Sequence, residues 1–457
     1  MKTAQNQSKS FRVLFFGDTN NNFITLARFL RREGIDAKVV PTLSISRGAL
    51  YRVYDLMRSR EDFLCLELAN IKDILVLERP FKYRSQRVRE ALQSLLMSDC
   101  RVVTVGSGLA PAIFEYAGLE LDITFATGGD VRYMPFFNSI SSISRGFGVS
   151  LKDNITKNIK RNSEMKSRSD ILKFRTLTDT RTWHNIISSI RQEYKKIKNL
   201  PSLQYQGIRK SVVVLQDDMY VDTWKSTDSL RIKRIALPME DDKIRDHTLY
   251  DTDSKGMFVD LASKLRSRYS FIVLSTSQNT KPKGTDILLR GFLKFKNLNP
   301  HISALLIISA RPDLSWLSRG VERNFEDGLS KEEIFLLPLI PQKELDVFYD
   351  ISDVAFGKIN SDNYYLNGTI SKVLAHGKPM ISFINEEYKK RIVDLYPYFS
   401  ADNEDEVARV LGDLSQNRVL LVSYGSRVSE WYRKFTRSSV RSWIALFHET
   451  VHHEFNS

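Results

Sequence analysis

Short apolar runs alternate with amphipathic stretches along most of this chain, which indicates alternating strands and helices. In the first unit, a strand over 11–16 leads into a helix, and Gly34 ends that helix before a second strand over 37–40. The apolar stripe of the helix is Phe23, Leu26, Ala27 and Leu30. The residues predicted to face outward from it are Arg28, Arg31, Arg32 and Glu33.

The same pattern continues through both halves of the sequence. Further strands are predicted in the first half over 63–68, 74–77, 101–105, 123–126, 212–215 and 234–237, and the stretch 141–210 is predicted to be helical. Strands are predicted in the second half over 271–275, 304–308, 334–337, 354–356 and 380–384. Helices are predicted over 285–297, about 404–416, and 426 to about 454.

The length of 457 residues favours two domains rather than one core. We predict a first Rossmann-like domain over 1–238, a polar and acidic linker over 239–257, and a second Rossmann-like domain over 258–425. The final helix, over 426–457, is long enough at ~1.5 Å per residue to cross back onto the first domain.

Composition excludes several classes of protein. No run of 18 apolar residues is present, the polar start lacks the apolar core of a signal peptide, and Cys65 and Cys100 lie in apolar runs typical of reduced core cysteines. We therefore expect a cytoplasmic protein with no metal site on cysteine.

The net charge of +14 is concentrated in one segment. Residues 152–210 hold 15 Lys and Arg against 5 Asp and Glu. This basic block predicts an anionic partner, and the inner face of a membrane with anionic lipid headgroups fits a basic helical segment. No zinc finger or RNA-binding signature accompanies the block, so nucleic acid is not expected. The alternative is a solvated charged surface.

The stretch 366–379 carries the strongest local signal for chemistry. Asn367-Gly368 opens a short helix with Ile370, Val373 and Leu374 on one face, and Gly377 and Pro379 end it. A glycine turn entering a helix directs unpaired N–H groups and the positive end of the helix dipole at one spot, which suits a diphosphate. The alternative is an ordinary crossover helix. The loop after the first strand lacks the glycine fingerprint of a dinucleotide site, so NAD binding is not predicted.

Five motifs, in order along the chain, resemble those of GT-B nucleotide-sugar glycosyltransferases, in particular the retaining enzymes of family 4. Residues 128–136 (Gly-Gly-Asp-Val-Arg-Tyr-Met-Pro-Phe) resemble a turn of the first domain. Residues 271–292 contain a Lys-Gly pair that opens a helix, and residues 336–353 and 371–381 match the next two blocks of the second domain. Residues 425–431 resemble the start of the final helix. The resemblance implies two Rossmann-like domains facing each other across a cleft, with a C-terminal helix crossing back to the first.

The resemblance also implies a set of site residues. Asp130 would orient the acceptor hydroxyl, and Lys283 would act on the donor phosphates. The donor-binding residues would be Ser277, Asn363, Tyr364, Gly368, Thr369 and Lys372. The acceptor or phosphate side would be formed by Gly17, Asn21, Asn22, Gly129 and Arg132. His376 is predicted to be structural, and His448 and His452 are predicted to be surface residues of the last helix.

The implied reaction moves a sugar from a UDP- or GDP-sugar to a glycan or lipid-linked acceptor, as in surface polysaccharide or glycoconjugate synthesis. No metal and no other cofactor are expected. The chain departs from the family pattern because Tyr364 and Lys372 stand where the family has two glutamates, and Ser277 or Gln278 stands where it has an arginine. Two alternatives follow: a non-catalytic GT-B scaffold or partner subunit, and a nucleotide-sugar epimerase.

Overall fold

Two six-stranded parallel sheets form the framework of the protein. The structure is a computed structural model, and it describes residues 11–17, 22–40, 64–67, 71–78, 80–126, 200–215, 230–238, 257–276, 284–309, 333–337, 340, 342–359, 366, 368–390 and 394–453. All of the predicted linker except its last residue, Met257, lies outside these ranges, as do most of the basic block and several predicted site residues.

The first sheet has the strand order β2-β1-β3-β4-β5-β6. Its strands are β1 (Phe11–Phe16), β2 (Asp36–Val40), β3 (Arg101–Gly106), β4 (Ile123–Ala126), β5 (Val212–Leu215) and β6 (Arg231–Arg234). Its helices are α1 (Asn22–Arg32), α2 (Ile71–Glu78), α3 (Ser85–Leu96), α4 (Ala110–Ala117) and α5 (Leu200–Lys210), with a 3₁₀ turn at Pro80–Lys82.

The second sheet has the strand order β12-β11-β10-β7-β8-β9. Its strands are β7 (Phe271–Ser275), β8 (Ala304–Ser309), β9 (Ile334–Leu337), β10 (Val354–Phe356), β11 (Met380–Ser382) and β12 (Phe399–Ser400). The helices of this half are α6 (Met257–Arg268), α7 (Thr285–Leu298), α8 (Gln342–Ile351), α9 (Gly368–Ala375), α10 (Glu386–Lys389), α11 (Glu404–Gln416) and α12 (Arg418–His453).

In each sheet, the order in which successive strands are added changes direction at one position, which we call the reversal point. In the first sheet it lies between β1 and β3, and in the second it lies between β7 and β10. Phe16 pairs with Gly106, and Phe356 pairs with Ser275, so the carboxyl ends of both strands of each pair are level. Open parallel sheets bind ligands in the crevice outside these carboxyl ends.

Helix α12 joins the cores of the two sheets. It is 36 residues long, about 54 Å at ~1.5 Å per residue. Its first half places Val428 and Tyr432 in the core of the second sheet, and its second half places Trp443 and Phe447 in the core of the first. The indole Nε1 of Trp443 donates to the carbonyl of Ala236 at 3.0 Å, which fixes the chain just after β6.

At corresponding positions, both sheets have an aspartate whose carboxylate accepts a hydrogen bond from the backbone of the neighbouring strand. Asp122 immediately precedes β4 and accepts from the Thr104 amide of β3 at 2.7 Å. Asp353 immediately precedes β10 and accepts from the Ile272 amide of β7 at 2.8 Å. Each aspartate carboxylate thereby joins two neighbouring strands through a hydrogen bond from a backbone N–H group.

Most predicted strands are confirmed, but three in the first half are wrong in type, length or position. Residues 74–77 form part of α2, because a short apolar run does not distinguish a strand from a buried helix. Within the predicted strand over 63–68, the described residues 64–67 form a single parallel bridge, Val39 to Leu66. The strand predicted over 234–237 lies at Arg231–Arg234. In the second half, β11 ends at Ser382 rather than 384.

Two further expectations need correction. Arg28, predicted to face outward, is 2% exposed, because residues 23–28 are buried all round α1. The final helix begins at Arg418 rather than 426.

Two further features concern the cysteines and the apolar character of the helices. Neither cysteine forms a disulfide, and Cys65 is buried as predicted, but Cys100 is half-buried beside Ser98. No described helix is both long enough and apolar enough to cross a membrane.

Candidate functional site

Two helices converge on the reversal point of the second sheet. Helix α7 follows β7 and α9 follows β10, and each runs antiparallel to its strand because it returns the chain to the start of the next parallel strand. The two helices lie on opposite faces, since α7 packs in the cluster with Val273 and Phe356 and α9 in the cluster with Leu274 and Ala355. Their N-termini therefore flank the carboxyl ends of β7 and β10 from both sides.

Helix α9 confirms the short helix that was predicted within the 366–379 stretch. Ile370, Val373 and Leu374 are buried on its inner face. Gly377 ends the helix with φ +60°, its amide donating to the carbonyl of Leu374 at 3.0 Å, and a Cβ on it would lie 2.1 Å from Ser429 Oγ of α12. The helix is therefore held firmly at its C-terminal end.

The N-terminal end of α9 is open. Among the described residues, nothing lies within 4 Å of the position that a Cβ would take on Gly368. Gly368 and Thr369 are half-buried, and first-turn amides have no acceptor within their own helix. The fully buried hydroxyl of Ser371, in the same turn, has no hydrogen-bond partner in the part of the chain that the structure describes.

Helix α7 begins in a similar way. Gly284 precedes it with φ +78° and, as a glycine, has no side chain with which to cap the first turn. The hydroxyl of Thr285 is fully buried and has no hydrogen-bond partner among the described residues. Buried hydroxyls without partners cost about 1–3 kcal/mol each, so two of them at one sheet edge favour a polar ligand there.

The reversal point of the first sheet is closed by a short contact. Gly17 follows β1 with φ +78°, and a Cβ on it would lie 2.6 Å from the carbonyl oxygen of Ser107. The Ser107 hydroxyl donates to the Gly17 carbonyl, and the Ser107 amide donates to the Phe16 carbonyl at 3.0 Å. Only glycine fits this turn. The presence of Gly17 at the carboxyl edge is therefore explained by the backbone alone, without a ligand.

The structure describes only part of the predicted site. Gly368, Thr369 and Lys372 lie together in the first two turns of α9, and Lys372 is half-buried. Gly17 lies at the edge of the other sheet, and Asn22 is the first residue of α1. The predicted site residues outside the described ranges are Asn21, Gly129, Asp130, Arg132, Ser277, Lys283, Asn363 and Tyr364. The functional roles assigned to all these residues remain predictions.

Sequence reasoning missed Lys358. This lysine follows β10 and is 6% exposed, at the same carboxyl edge as the open end of α9. The signal that could have found it is a single charge in the run Val354–Ile359, whose other members are apolar or glycine.

His376 lies in a partly buried series of polar contacts that reaches this edge. Its Nδ1 is 3.1 Å from Asp350 Oδ1, and its Nε2 is 3.5 Å from Asp346 Oδ1. The imidazole stacks on Tyr349 with ring centroids 4.8 Å apart. The Tyr349 hydroxyl is 2.5 Å from Thr276 Oγ1, just beyond β7. These contacts fit the predicted structural role of His376, while His448 and His452 are exposed on α12 as predicted.

The stability contributed by His376 is expected to depend on pH. Burial by itself lowers the pKa of His376, but hydrogen bonds and charge attraction from Asp346 and Asp350 outweigh it, so the pKa is raised. A histidine whose pKa is higher in the folded protein than in the unfolded chain stabilises the fold when it is protonated. This stabilisation is fully present below the unfolded-state pKa of about 6.5, and it is lost as the pH rises through the folded-state pKa. We expect the difference in unfolding free energy between wild type and His376→Phe to be larger near about pH 5.5 than near about pH 9.

The control for this prediction is His301→Phe, because His301 is exposed on the same half of the molecule. Urea unfolding at both pH values measures the difference for each variant. A His376 difference that is constant with pH would contradict the prediction.

No protein-family model matches this chain, and no curated protein matches it. Solved structures match over nearly the full length. HepE from Anabaena, solved with UDP and glucose, matches with a TM-score of 0.55 and 13% identity over 96% of this chain and 99% of its own. A glycosyltransferase from Rickettsia africae matches with a TM-score of 0.54 and 12% identity, covering 97% and 99% of the two chains.

A UDP-forming α,α-trehalose-phosphate synthase from Burkholderia vietnamiensis matches with a TM-score of 0.56 and 10% identity, covering 98% and 99% of the two chains. The chain has the GT-B fold. The helix that crosses between the two sheets of this GT-B fold is α12. At these identities the likeness establishes the fold, and the predicted GT-B architecture is confirmed.

Proposed function

We propose that this GT-B protein is a glycosyltransferase that moves a sugar from a nucleoside-diphosphate sugar to a glycan or lipid-linked acceptor. The observation that carries the proposal is the open N-terminus of α9 at the reversal point of the second sheet, where Gly368 leaves the first-turn amides accessible. Unpartnered hydroxyls in the first turns of α7 and α9 support an anionic ligand at the same edge. HepE, which shares the fold, was solved with UDP and with UDP-glucose.

The donor diphosphate would lie against the amides of Gly368 and Thr369. Lys283, two residues before α7, would add a positive charge, and Lys372 would add another one turn inside α9. Fixed N–H groups and ammonium groups stabilise the charge that develops on a departing diphosphate. Asn363, Tyr364 and Ser277 complete the proposed donor side.

The acceptor would lie at the carboxyl edge of the first sheet. Gly17, Asn21, Asn22, Gly129 and Arg132 would form its surroundings, and Asp130 would orient the attacking hydroxyl. The basic block 152–210 would attract an anionic acceptor or a membrane surface carrying one. This assignment places the reaction in surface polysaccharide or glycoconjugate synthesis at the inner face of the membrane.

The proposed chemistry needs no paired carboxylates. The bond between the anomeric carbon and the diphosphate oxygen breaks, a bond from that carbon to the acceptor oxygen forms, and a phosphate oxygen takes the acceptor proton. The sugar passes through an oxocarbenium-like state. Attack on the face that the leaving group vacates would retain the anomeric configuration.

Substitution of Gly368 tests the proposal. Gly368→Ala is expected to weaken UDP or GDP binding about tenfold or more, since a Cβ would project between the amides and a phosphate, and a hydrogen bond to a charged group contributes ~1.5–3 kcal/mol. The melting temperature without nucleotide should not fall, because the added carbon meets no described atom and alanine favours a helix. Calorimetry and thermal unfolding measure both quantities.

Gly412→Ala in α11 is the matched control, because its added Cβ would meet only Asn299, at 3.8 Å. Equal nucleotide affinity in both variants would remove the α9 N-terminus from the site. A wild-type protein that binds no nucleotide would favour the scaffold alternative. Sugar-nucleotide turnover without acceptor-dependent release of UDP or GDP would favour the epimerase alternative.

A further inference from the structure

We infer that the hydroxyl of Thr276 donates a hydrogen bond to the diphosphate of the donor, and that Tyr349 holds this hydroxyl in the orientation that it needs. The inference rests on the proposed function and adds two residues to that site. Thr276 contacts the ligand, and Tyr349 acts through Thr276 as a positioning residue. The observations that carry the inference are the place of Thr276 at the carboxyl edge and the hydrogen bond between the two hydroxyls.

Thr276 lies at the reversal point of the second sheet. Ser275 is the last residue of β7 and is level with Phe356 of β10, so Thr276 is one residue beyond the paired ends of the two strands. Its side chain is half-buried. A side chain at this point of an open parallel sheet can reach a ligand in the crevice outside the strands.

The side chain of Thr276 lies on the face of the sheet that carries α9. Alternate residues of a strand share a face, and Leu274 packs in the core cluster that contains Ile370 and Val373 of α9. The contact with Tyr349 of α8 agrees with this placement, because Tyr349 belongs to the same cluster. The N-terminus of α9 lies at the same carboxyl edge, so the Thr276 hydroxyl and the first-turn amides of α9 lie on one side of the crevice.

The hydrogen bond between the two hydroxyls leaves a proton on Thr276 that can be donated elsewhere. The hydroxyl oxygens of Tyr349 and Thr276 are 2.5 Å apart, and one proton lies between them. A phenolic hydroxyl is more acidic than an aliphatic one and is the better donor, so Tyr349 donates and Thr276 accepts. The Thr276 hydroxyl then points its own proton away from Tyr349, where an anion in the crevice can accept it.

The ring of Tyr349 is fixed in the interior of this half of the molecule. It is fully buried, and the imidazole of His376 stacks on it with ring centroids 4.8 Å apart. His376 is itself held by Asp350 at 3.1 Å and by Asp346 at 3.5 Å. A ring held in this way presents its hydroxyl in one direction, and a donor that is oriented before the ligand arrives loses little conformational freedom on binding.

A diphosphate matches the groups on this side of the crevice better than a neutral ligand does. The first-turn amides of Gly368 and Thr369 are donors, and α9 presents the positive end of its dipole beside them. Thr276 adds a hydroxyl donor on the same face. The ribose and base of a nucleoside carry no charge for the dipole to attract, so the phosphates are the part of the donor that belongs here.

The test compares UDP or GDP with the corresponding nucleoside. Thr276→Val replaces the hydroxyl with a methyl group of similar size. We expect it to raise the Kd for UDP or GDP at least about tenfold, while the Kd for uridine or guanosine changes less than about twofold. Thr276→Ser keeps the hydroxyl and should stay within about threefold of wild type for every ligand.

Thr450→Val is the matched control, because it removes a threonine hydroxyl far from the second sheet. The Thr450 hydroxyl donates to the Leu446 carbonyl at 2.8 Å, in the half of α12 that packs on the first sheet. This variant should leave the affinities for the nucleotide and for the nucleoside unchanged.

Tyr349→Phe tests the positioning role, since phenylalanine keeps the ring and removes only the hydroxyl. We expect the Kd for UDP or GDP to rise about threefold or more when Thr276 is present, and to change less than about 1.5-fold in the Thr276→Val background. A tyrosine that only stabilised the fold would change the affinity equally in both backgrounds, and that result overturns the positioning role.

The remaining outcomes separate this inference from the proposed function. A wild-type protein that binds neither UDP nor GDP overturns both. If wild type binds UDP and Thr276→Val binds it as tightly, or if Thr276→Val weakens UDP and uridine equally, the inference alone is overturned. Thr276→Ala is the second variant, and if neither it nor Thr276→Val unfolds cooperatively, the hydroxyl holds the fold and the inference is overturned.

Discussion

Asp353→Ala is expected to lower the free energy of unfolding by about 3 kcal/mol, because it leaves buried donors without their acceptor. The carboxylate is 5% exposed and binds the guanidinium of Arg266 at 2.6 Å and that of Arg418. It also accepts a hydrogen bond from the backbone amide of Ile272 at 2.8 Å, and this amide cannot rotate to bind water instead. The value is at the low end for a broken buried ion pair, since Arg418 is largely exposed and regains water.

Urea unfolding of Asp353→Ala at constant pH measures this loss. Arg409→Ala is the control, because its salt bridge to Asp413 joins two exposed side chains and contributes at most about 0.5 kcal/mol. Asp353→Asn keeps an acceptor oxygen for the amide and should lose less than the alanine variant. Similar losses in Asp353→Ala and Arg409→Ala would show that the buried carboxylate does not join the strands.

Trp443→Ala is expected to cost about 4 kcal/mol, the range for removing a fully buried indole. Trp443 is 0% exposed and contacts the ring of Phe125 in β4 with centroids 5.8 Å apart. The variant opens a cavity between α12 and the first sheet, and it leaves the Ala236 carbonyl without one of its donors.

Trp443→Phe separates the two contributions, since it keeps most of the volume and removes only the indole donor. We expect it to lose about 1–2 kcal/mol, measured by the same urea unfolding. Hydrogen exchange should show faster opening of β3 and β4 than of β7 and β10 in Trp443→Ala. Uniform acceleration in both sheets would contradict the view that this tryptophan anchors α12 to the first sheet.

Five of the six strands of the second sheet were predicted, because β7, β8, β10 and β11 are buried on both faces and appear as continuous apolar runs, whereas the two-residue edge strand β12 was not. The first sheet was harder. Its edge strand β6 has the sequence Arg-Ile-Lys-Arg, and charged side chains protect an open edge but hide it from an apolar pattern. The outward position predicted for Arg28 was wrong because the periodicity of a helix identifies only its most apolar face. It does not show whether neighbouring helices and strands also bury the other faces.

The candidate site was predicted only as far as local patterns reach. The helix opened by Gly368 follows from glycine spacing and apolar periodicity, and both are visible in the sequence. The meeting of α7 and α9 at one edge depends on strand order, which no local pattern contains. Lys358 was missed for the same reason, since its position becomes significant only when β10 is known to adjoin β7.

The placement of Trp443, Phe447 and Val451 in the core of the first sheet has a consequence for biosynthesis. Strands β1 to β6 leave the ribosome long before these side chains exist. The part of this sheet that α12 covers is therefore synthesised before the helix that covers it, and chaperones can bind the exposed apolar surface during that interval.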